Sequence, residues 1–163
     1  MLGRLTTTVA LALGTVAIGV GPALAASPHF INASATGPSS SGTLSVNFKE
    51  AGLGDNASIT YQASADATAV YACLNHGGHH PQASNKETVS GPVSATATFS
   101  SGKNGSISQS LTLPPPSAGS FSCPSGQTLV LASDSFSNVT ITDTTNSQTE
   151  SIAGTFSRVF FNV

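Results

Sequence analysis

The sequence has very little charge, and this absence narrows what the protein can do. Charged residues make up 7% of the 163 residues, with five basic residues, seven acidic residues and a formal net charge of −2. Ordinary domains carry about 25% charged residues. So little positive charge excludes the basic footprint of a nucleic-acid-binding protein, and no charged run marks a membrane-binding patch. Solubility must come from serine, threonine, asparagine and glutamine.

Catalytic motifs are also missing. There is no Gly-x-Ser-x-Gly elbow, and the two cysteines do not form a Cys-x-x-Cys redox motif. The run Asp143-Thr144-Thr145-Asn146 lacks the glycine and the number of oxygen ligands of a calcium loop, so it predicts a turn with self-capping side chains. A carboxylate pair for glycoside hydrolysis would have to be assembled by the fold. We therefore predict that the protein is not an enzyme.

The first 25 residues differ from the rest and predict export. A short positive start at 1–4 precedes an apolar segment at 5–21 and the small-residue pattern Ala23-x-Ala25. These three parts in this order are typical of a secretory signal peptide. A transmembrane anchor would need about 20 uninterrupted apolar residues, and glycines and Pro22 interrupt this segment. We expect cleavage after Ala25, a single secreted domain at 26–163, and no membrane association after cleavage.

The mature part alternates apolar and polar residues, which is the pattern of half-buried strands. The one Ala-rich segment with helical character, 63–74, contains β-branched and aromatic residues that favour a strand at its cysteine end. Tight turns are predicted at 52–56 and 102–105, where Asn104-Gly105 is a hairpin signal. Strands are predicted at 43–48, 59–63, 93–99, 107–113, 128–132, 138–142 and 155–161, with an edge strand at Phe30 and Ile31.

The chain has two cysteines, Cys73 and Cys123. In an exported protein an even number of cysteines is most simply a disulfide. A bridge that closes a loop of about 50 residues contributes roughly 4 kcal/mol in the chain-entropy model. Short strands separated by turns at regular spacing indicate a sandwich or a barrel. We therefore predict an all-β protein, an antiparallel immunoglobulin-like β-sandwich with one disulfide. The chain lacks the tryptophan of antibody domains.

The densest chemical feature is His76-Gly77-Gly78-His79-His80. Neutral imidazole binds copper and zinc well, so His76, His79 and His80 are candidate metal ligands. Their spacing matches no established ligand pattern, and a solvated polar loop is the alternative interpretation. The predicted loop at 75–92 is longer than most connections, and long loops often bind partners.

Several segments resemble known secreted proteins. Residues 51–56, Tyr71-Ala72-Cys73, 89–93 and Ser122-Cys123-Pro124 together resemble a group of small secreted proteins from actinobacteria. This resemblance implies export and no particular activity. The order of residues 46–53, the cysteine strand and 97–113 is also similar to the neocarzinostatin-type apoproteins, which are secreted immunoglobulin-like carriers of enediyne chromophores. Those proteins have two short-loop disulfides, whereas this chain allows one long loop.

Taken together, the sequence predicts a secreted, non-enzymatic β-sandwich that binds an unknown extracellular partner or has a surface role. Two alternatives remain open. The first is extracellular binding of copper or zinc through His76, His79 and His80. The second is carriage of a small molecule, as the resemblance to the chromophore carriers implies. No other cofactor is predicted.

Overall fold

The structure is a computed structural model that describes residues 27–75 and 85–162. Apart from one 3-10 turn at Gly102–Asn104, the regular elements in these residues are all strands, which confirms the all-β prediction. Across the same residues, the structure holds no helix with the length and apolar character needed to cross a membrane. The strands are β1 His29–Thr36, β2 Leu44–Ala51, β3 Ser58–Asn75, β4 Lys86–Ser100, β5 Ser106–Leu113, β6 Gln127–Asp143, β7 Gln148–Ile152 and β8 Phe156–Val159.

The described strands form two antiparallel sheets. One sheet has three strands in the order β1-β2-β5, and the other has five, in the order β4-β3-β6-β7 with β8 beside β7 along the same edge of β6. The inner faces of the two sheets pack against each other. The chain crosses between the sheets after β2, β4 and β5, so neighbouring strands in sequence often lie in different layers.

The two sheets differ in strand length. The central strands of the larger sheet, β3 and β6, have 18 and 17 residues, whereas β1, β2 and β5 have eight each. The smaller sheet therefore covers only part of the larger one. We call residues 58–67 of β3 and 136–143 of β6 the sandwich half, because their buried residues belong to the main core. Residues 68–75 and 127–135 form the overhang half.

Large apolar side chains fill the sandwich half. Period-two alternation along β2 and β3 points Phe48 and Tyr61 into the space between the sheets, where their ring centroids lie 4.4 Å apart. The rings of Phe30 and Phe99 pack around this pair at centroid distances of 6.2–6.4 Å. Aromatic contacts of this kind add to the area that each ring buries, so this cluster holds the two sheets together.

Connecting segments, rather than strands, cover the overhang half. Cys73, near the end of β3, is bonded to Cys123 in the segment between β5 and β6, with an S–S length of 2.03 Å. The predicted disulfide is therefore present. The Tyr71 hydroxyl donates a hydrogen bond to the carbonyl of Pro116 at 2.7 Å, and this bond ties the same segment to β3. The buried side chains here are small, and they include Ala69, Ala72 and Ala132.

Several predicted boundaries were wrong. Segments 128–132 and 138–142 are one strand, β6, that continues through a bulge at Asn138, which has a φ of +52°. The strand β7 was missed because four of its five residues are exposed and polar. The loop predicted at 75–92 is shorter, since β4 begins at Lys86.

The two predicted tight turns are present, but one has a different role from the one its sequence suggested. The turn with Asn104-Gly105 joins β4 to β5, and these strands belong to different sheets, so it is not a hairpin. Gly105 adopts a left-handed conformation with φ +61°, and its position packs against the backbone of Gly54 in the other turn. The Ser101 side chain links the same two turns by donating to the Gly54 carbonyl at 2.6 Å.

Candidate binding face

The outward side of the five-stranded sheet carries mostly serine and threonine, with Gln62, Asp66 and Pro92 among them. On each strand these residues alternate with the inward-facing side chains, so the local sequence pattern places them on one surface. We call this surface the hydroxyl face. Its residues are Thr60, Ser64 and Thr68 on β3, Ser90, Ser94, Thr96 and Thr98 on β4, Ser135, Ser137, Thr140 and Thr142 on β6, and Thr149 and Ser151 on β7.

Hydroxyl pairs across neighbouring strands hold this face in place. Thr60 pairs with Thr98 at 2.8 Å, and Thr68 pairs with Ser90 at 2.9 Å, both between β3 and β4. On the same face, side-chain oxygens lie within 3.0 Å in the pair Ser64–Thr140 between β3 and β6 and in the pair Thr142–Thr149 between β6 and β7. Each pair uses one proton, so one hydroxyl of each pair keeps a proton to donate outward and both keep acceptor capacity.

Among residues 58–68 of β3, 88–100 of β4 and 135–142 of β6, the hydroxyl face includes one ionisable position, Asp66 on β3. Its carboxylate accepts a hydrogen bond from the side-chain amide of Asn138 at 2.8 Å. The bulge in β6 at Asn138 brings this amide beside Asp66, because two β6 residues stand opposite one β3 residue there. A shallow depression of about 320 Å³ lies next to this pair and is bordered by Thr68, Ser90 and Ser135.

This arrangement suits hydrogen bonding to a neutral partner. Hydroxyls recur at the spacing of neighbouring strands, about 4.8 Å, and at two-residue steps along each strand, about 6.8 Å. The only histidine in the described residues, His29, lies on β1 of the other sheet, so within these residues no imidazole stands beside the hydroxyls.

The outer face of the three-stranded sheet is a useful comparison. It is also polar, with Asn32, Ser34 and Asn47 around a wide, open depression of about 700 Å³. It differs in carrying the exposed, charged Lys49 and in having no hydroxyl–hydroxyl pair between strands among the hydrogen bonds of the described residues. This face therefore serves as the control surface for the hydroxyl face.

Two acidic residues, Glu50 on β2 and Asp143 on β6, are fully buried where the two sheets pack against each other. Glu50 accepts a hydrogen bond from the Tyr61 hydroxyl at 2.6 Å, while its second oxygen has no partner. Burial and the neighbouring Asp143 raise the pKa of Glu50, although the Tyr61 hydrogen bond opposes this, and burial together with the Glu50 contact raises the pKa of Tyr61. None of the three side chains reaches solvent. They form a buried polar cluster in the core.

Asp143 confirms the predicted self-capping turn. One of its carboxylate oxygens accepts hydrogen bonds from the backbone N–H groups of Thr145 and Asn146 at 2.8 and 2.9 Å. The other oxygen accepts one from the Asn146 side chain at 2.6 Å. These bonds close the connection between β6 and β7 and explain the asparagine and threonine residues in this stretch.

A third buried carboxylate lies in the overhang half. Asp134 is 3% exposed, and neither of its oxygens has a hydrogen-bond partner. Burial raises its pKa to about 6, and the positive charge of Arg158 on β8 opposes this shift. The backbone of Gly42 packs so closely over the carboxylate that an added Cβ would lie 2.7 Å from Oδ2. This close cover leaves no space for a ligand.

The predicted metal ligands His76, His79 and His80 lie outside the described residues, as does the predicted signal peptide. In the ranges 27–75 and 85–162, no three histidine, cysteine or carboxylate side chains come together in a group that could hold a metal ion. The hydroxyl face was not predicted from the sequence. Alternations such as Ser94-Ala95-Thr96-Ala97-Thr98 predicted a strand, and they also place hydroxyl side chains on one side of that strand.

Comparison with protein-family models gives no match for this chain, and comparison with characterised proteins gives none either.

Proposed function

We propose that the protein is exported and acts without catalysis, binding a neutral polysaccharide outside the cell through its hydroxyl face. The observation that carries this proposal is the set of four cross-strand hydroxyl pairs on a surface with one charged residue. Sugar hydroxyls both donate and accept, as these side chains do. A charged polymer would find no complementary charge here.

The composition of the face favours a polysaccharide over a protein partner. The centres of protein–protein interfaces are enriched in tyrosine, tryptophan and arginine and depleted in serine. The hydroxyl face has the opposite composition. It also lacks the aromatic platform on which sugars stack, since Phe48, Tyr61 and Phe99 pack in the core. Each contact is therefore weak, and affinity would build up through repeated contacts along one polymer chain.

The proposed fold type is an immunoglobulin-like sandwich of the kind found in secreted binding modules. If β1 to β7 are taken as strands A, B, C, C′, E, F and G, one sheet is A-B-E and the other is C′-C-F-G. This division of strands supports the proposal. The disulfide differs from that of antibody domains, because it joins the end of β3 to the segment before β6 and does not cross between two central strands.

The direct test is co-sedimentation of the exported protein with insoluble neutral polysaccharides, followed by comparison of two double variants. Thr60→Val with Thr98→Val removes one hydroxyl pair at constant shape and should weaken binding about tenfold, since neutral hydrogen bonds contribute about 0.5–1.5 kcal/mol each. The matched control, Thr36→Val with Thr112→Val on the other sheet, should bind as the wild type does. Equal binding by both variants, or no binding to any neutral polysaccharide, would reject the proposal.

Binding of copper or zinc by His76, His79 and His80 is the second proposal. The segment with these residues connects β3 and β4, which pair up to Ala72 and Lys86 and whose junction is tied down by the Cys73 disulfide. Isothermal titration with either metal tests this site. We expect saturable binding that the His76→Ala, His79→Ala double variant loses, and unchanged affinity in that variant would refute it.

Because large side chains fill the space between the sheets, we do not propose carriage of a small molecule.

A further inference from the structure

The outer strand of the five-stranded sheet, β4, presents a long edge without charge. Within the described residues, β4 pairs with β3 on one side and with no strand on the other. Its residues from Thr88 to Ser100 contain no ionisable side chain. Proteins usually protect such edges with lysine, proline, bulges or short strands, because open edges pair with other chains. Here β4 is 15 residues long and pairs without a bulge, and between Thr88 and Ser100 it has Pro92 as its one protecting residue.

Pro92 also shows which backbone N–H and C=O groups of β4 point to the free edge of the sheet and which point to β3. Proline has no N–H to donate, so in a paired edge strand its nitrogen lies on the side away from the neighbouring strand. Alternate residues of a strand direct their backbone groups to the same side. Ser94, Thr96, Thr98 and Ser100 therefore direct their N–H and C=O groups away from β3. They form a row of donors and acceptors along the free edge.

The sequence of this edge is complementary to itself. In an antiparallel pair centred on Thr96, Ser94 stands opposite Thr98 of the second copy, so hydroxyls meet hydroxyls. On the inner face, Ala95 stands opposite Ala97, and the larger Val93 stands opposite Phe99. Phe99 is held by the core at 6.2 Å from the Tyr61 ring, and these four apolar residues are only partly buried in one copy.

We infer that β4 pairs antiparallel with β4 of a second copy of this chain about a two-fold axis at Thr96. This pairing would form about six backbone hydrogen bonds, two for each directly bonded residue pair. It places no like charges together and extends the core at Val93 and Phe99. The two five-stranded sheets become one, so the hydroxyl face continues across both copies. The inference rests on the edge of β4 and does not depend on the polysaccharide proposal.

The test is sedimentation equilibrium of the exported, oxidised protein from micromolar to millimolar concentration. The wild type should show a reversible dimer. Thr96→Lys brings two ammonium groups together at the axis and should weaken dimerisation at least tenfold, because like charges directly opposite are destabilising. Thr96→Pro should do the same by removing the central N–H, and it should still fold because that N–H does not bond to β3. The matched control, Ser151→Lys on the opposite edge of the sheet, should dimerise as the wild type does.

Three results would overturn the inference. The first is a monomer throughout this concentration range. The second is a dimer that is insensitive to both Thr96 substitutions, provided that far-ultraviolet circular dichroism shows both variants folded. The third is a dimer that Ser151→Lys weakens as much as Thr96→Lys. Failure of dimerisation leaves polysaccharide binding to the hydroxyl face of the monomer intact, so the two proposals fail separately.

Discussion

The two halves of the five-stranded sheet achieve burial in different ways. The sandwich half faces a second sheet, and large side chains such as Phe48, Tyr61 and Phe136 fill the space between them. The overhang half extends past that sheet, and the chain covers it with connecting segments, a disulfide and small side chains such as Ala69 and Ala132. A large apolar core stabilises the first half, whereas a covalent bond must supply much of the stability of the second.

The same contrast holds for the buried carboxylates. Opposite the sandwich half, Glu50 of β2 has a strong hydrogen bond from Tyr61, which is itself inside the core. In the overhang half, Asp134 has no hydrogen-bond partner and only the charge of Arg158 nearby. A buried polar group without a partner costs free energy. The overhang half is therefore the less stable region, and substitutions in the two halves should have different effects.

The largest expected effect is loss of the disulfide. Cys73→Ser with Cys123→Ser should lower the free energy of unfolding by about 4 kcal/mol, because the unfolded chain regains the entropy of the open loop. Urea unfolding measures the total loss. Hydrogen exchange locates it, and we expect amides at 68–75 to exchange much faster than those at 59–67. Uniform acceleration along β3 would contradict the division into two halves.

The next effect concerns the hydrogen bond to Glu50. Tyr61→Phe leaves a fully buried carboxyl without its donor and should cost about 1–3 kcal/mol. The matched control is Tyr71→Phe in the overhang half, which removes a hydrogen bond to the partly buried carbonyl of Pro116. That carbonyl can bond to water instead, so the control should cost about 1 kcal/mol or less. Equal losses of thermal stability in the two variants would show that the hydrogen bond from Tyr61 to Glu50 stabilises the protein no more than the one from Tyr71 to Pro116.

A smaller effect, in this case a gain in stability, is expected when Asp134 is replaced by asparagine. Its pKa in the folded protein, about 6, lies above the ordinary value of 3.8, so folding favours the protonated form. The resulting stabilisation is complete below pH 3.8 and is lost as the pH rises through about 6. Asp134→Asn should therefore raise the free energy of unfolding at pH 8 by roughly 1–2 kcal/mol and change it little at pH 4.

Thermal unfolding from pH 4 to pH 8 measures this dependence. The control is Asp55→Asn, which changes an exposed carboxylate in a turn and should leave the pH profile unaltered. If Asp134→Asn destabilises the protein at pH 8, then Asp134 has a stabilising partner and the contrast with Glu50 is wrong.

Local patterns in the sequence predicted individual strands, and the structure adds how these strands pair. Alternation correctly placed Val93, Ala95, Ala97 and Phe99 on one face of a strand, and the even number of cysteines, together with the expectation of export, correctly indicated the disulfide. The pattern could not show that β6 is continuous, because the bulge at Asn138 shifts the alternation by one residue. Such a shift is visible only once the partner strand is known.

The buried carboxylates and the hydroxyl face were missed for a related reason. Asp134 lies between two serines in the sequence, which is typical of an exposed segment, and connecting segments from elsewhere in the chain bury it. The hydroxyl face is assembled from four strands, with partners such as Ser64 and Thr140 lying 76 residues apart. Composition shows that serine and threonine are abundant, but only strand pairing places them on one surface.

The most direct test of the proposed function is amide chemical-shift mapping of the labelled, exported protein during titration with a soluble neutral polysaccharide. We predict saturable shifts concentrated on residues 60–68 of β3, 90–98 of β4 and 137–142 of β6, with the outer face of the three-stranded sheet unchanged. Shifts confined to that other face, or none with any neutral polysaccharide, would contradict binding through the hydroxyl face.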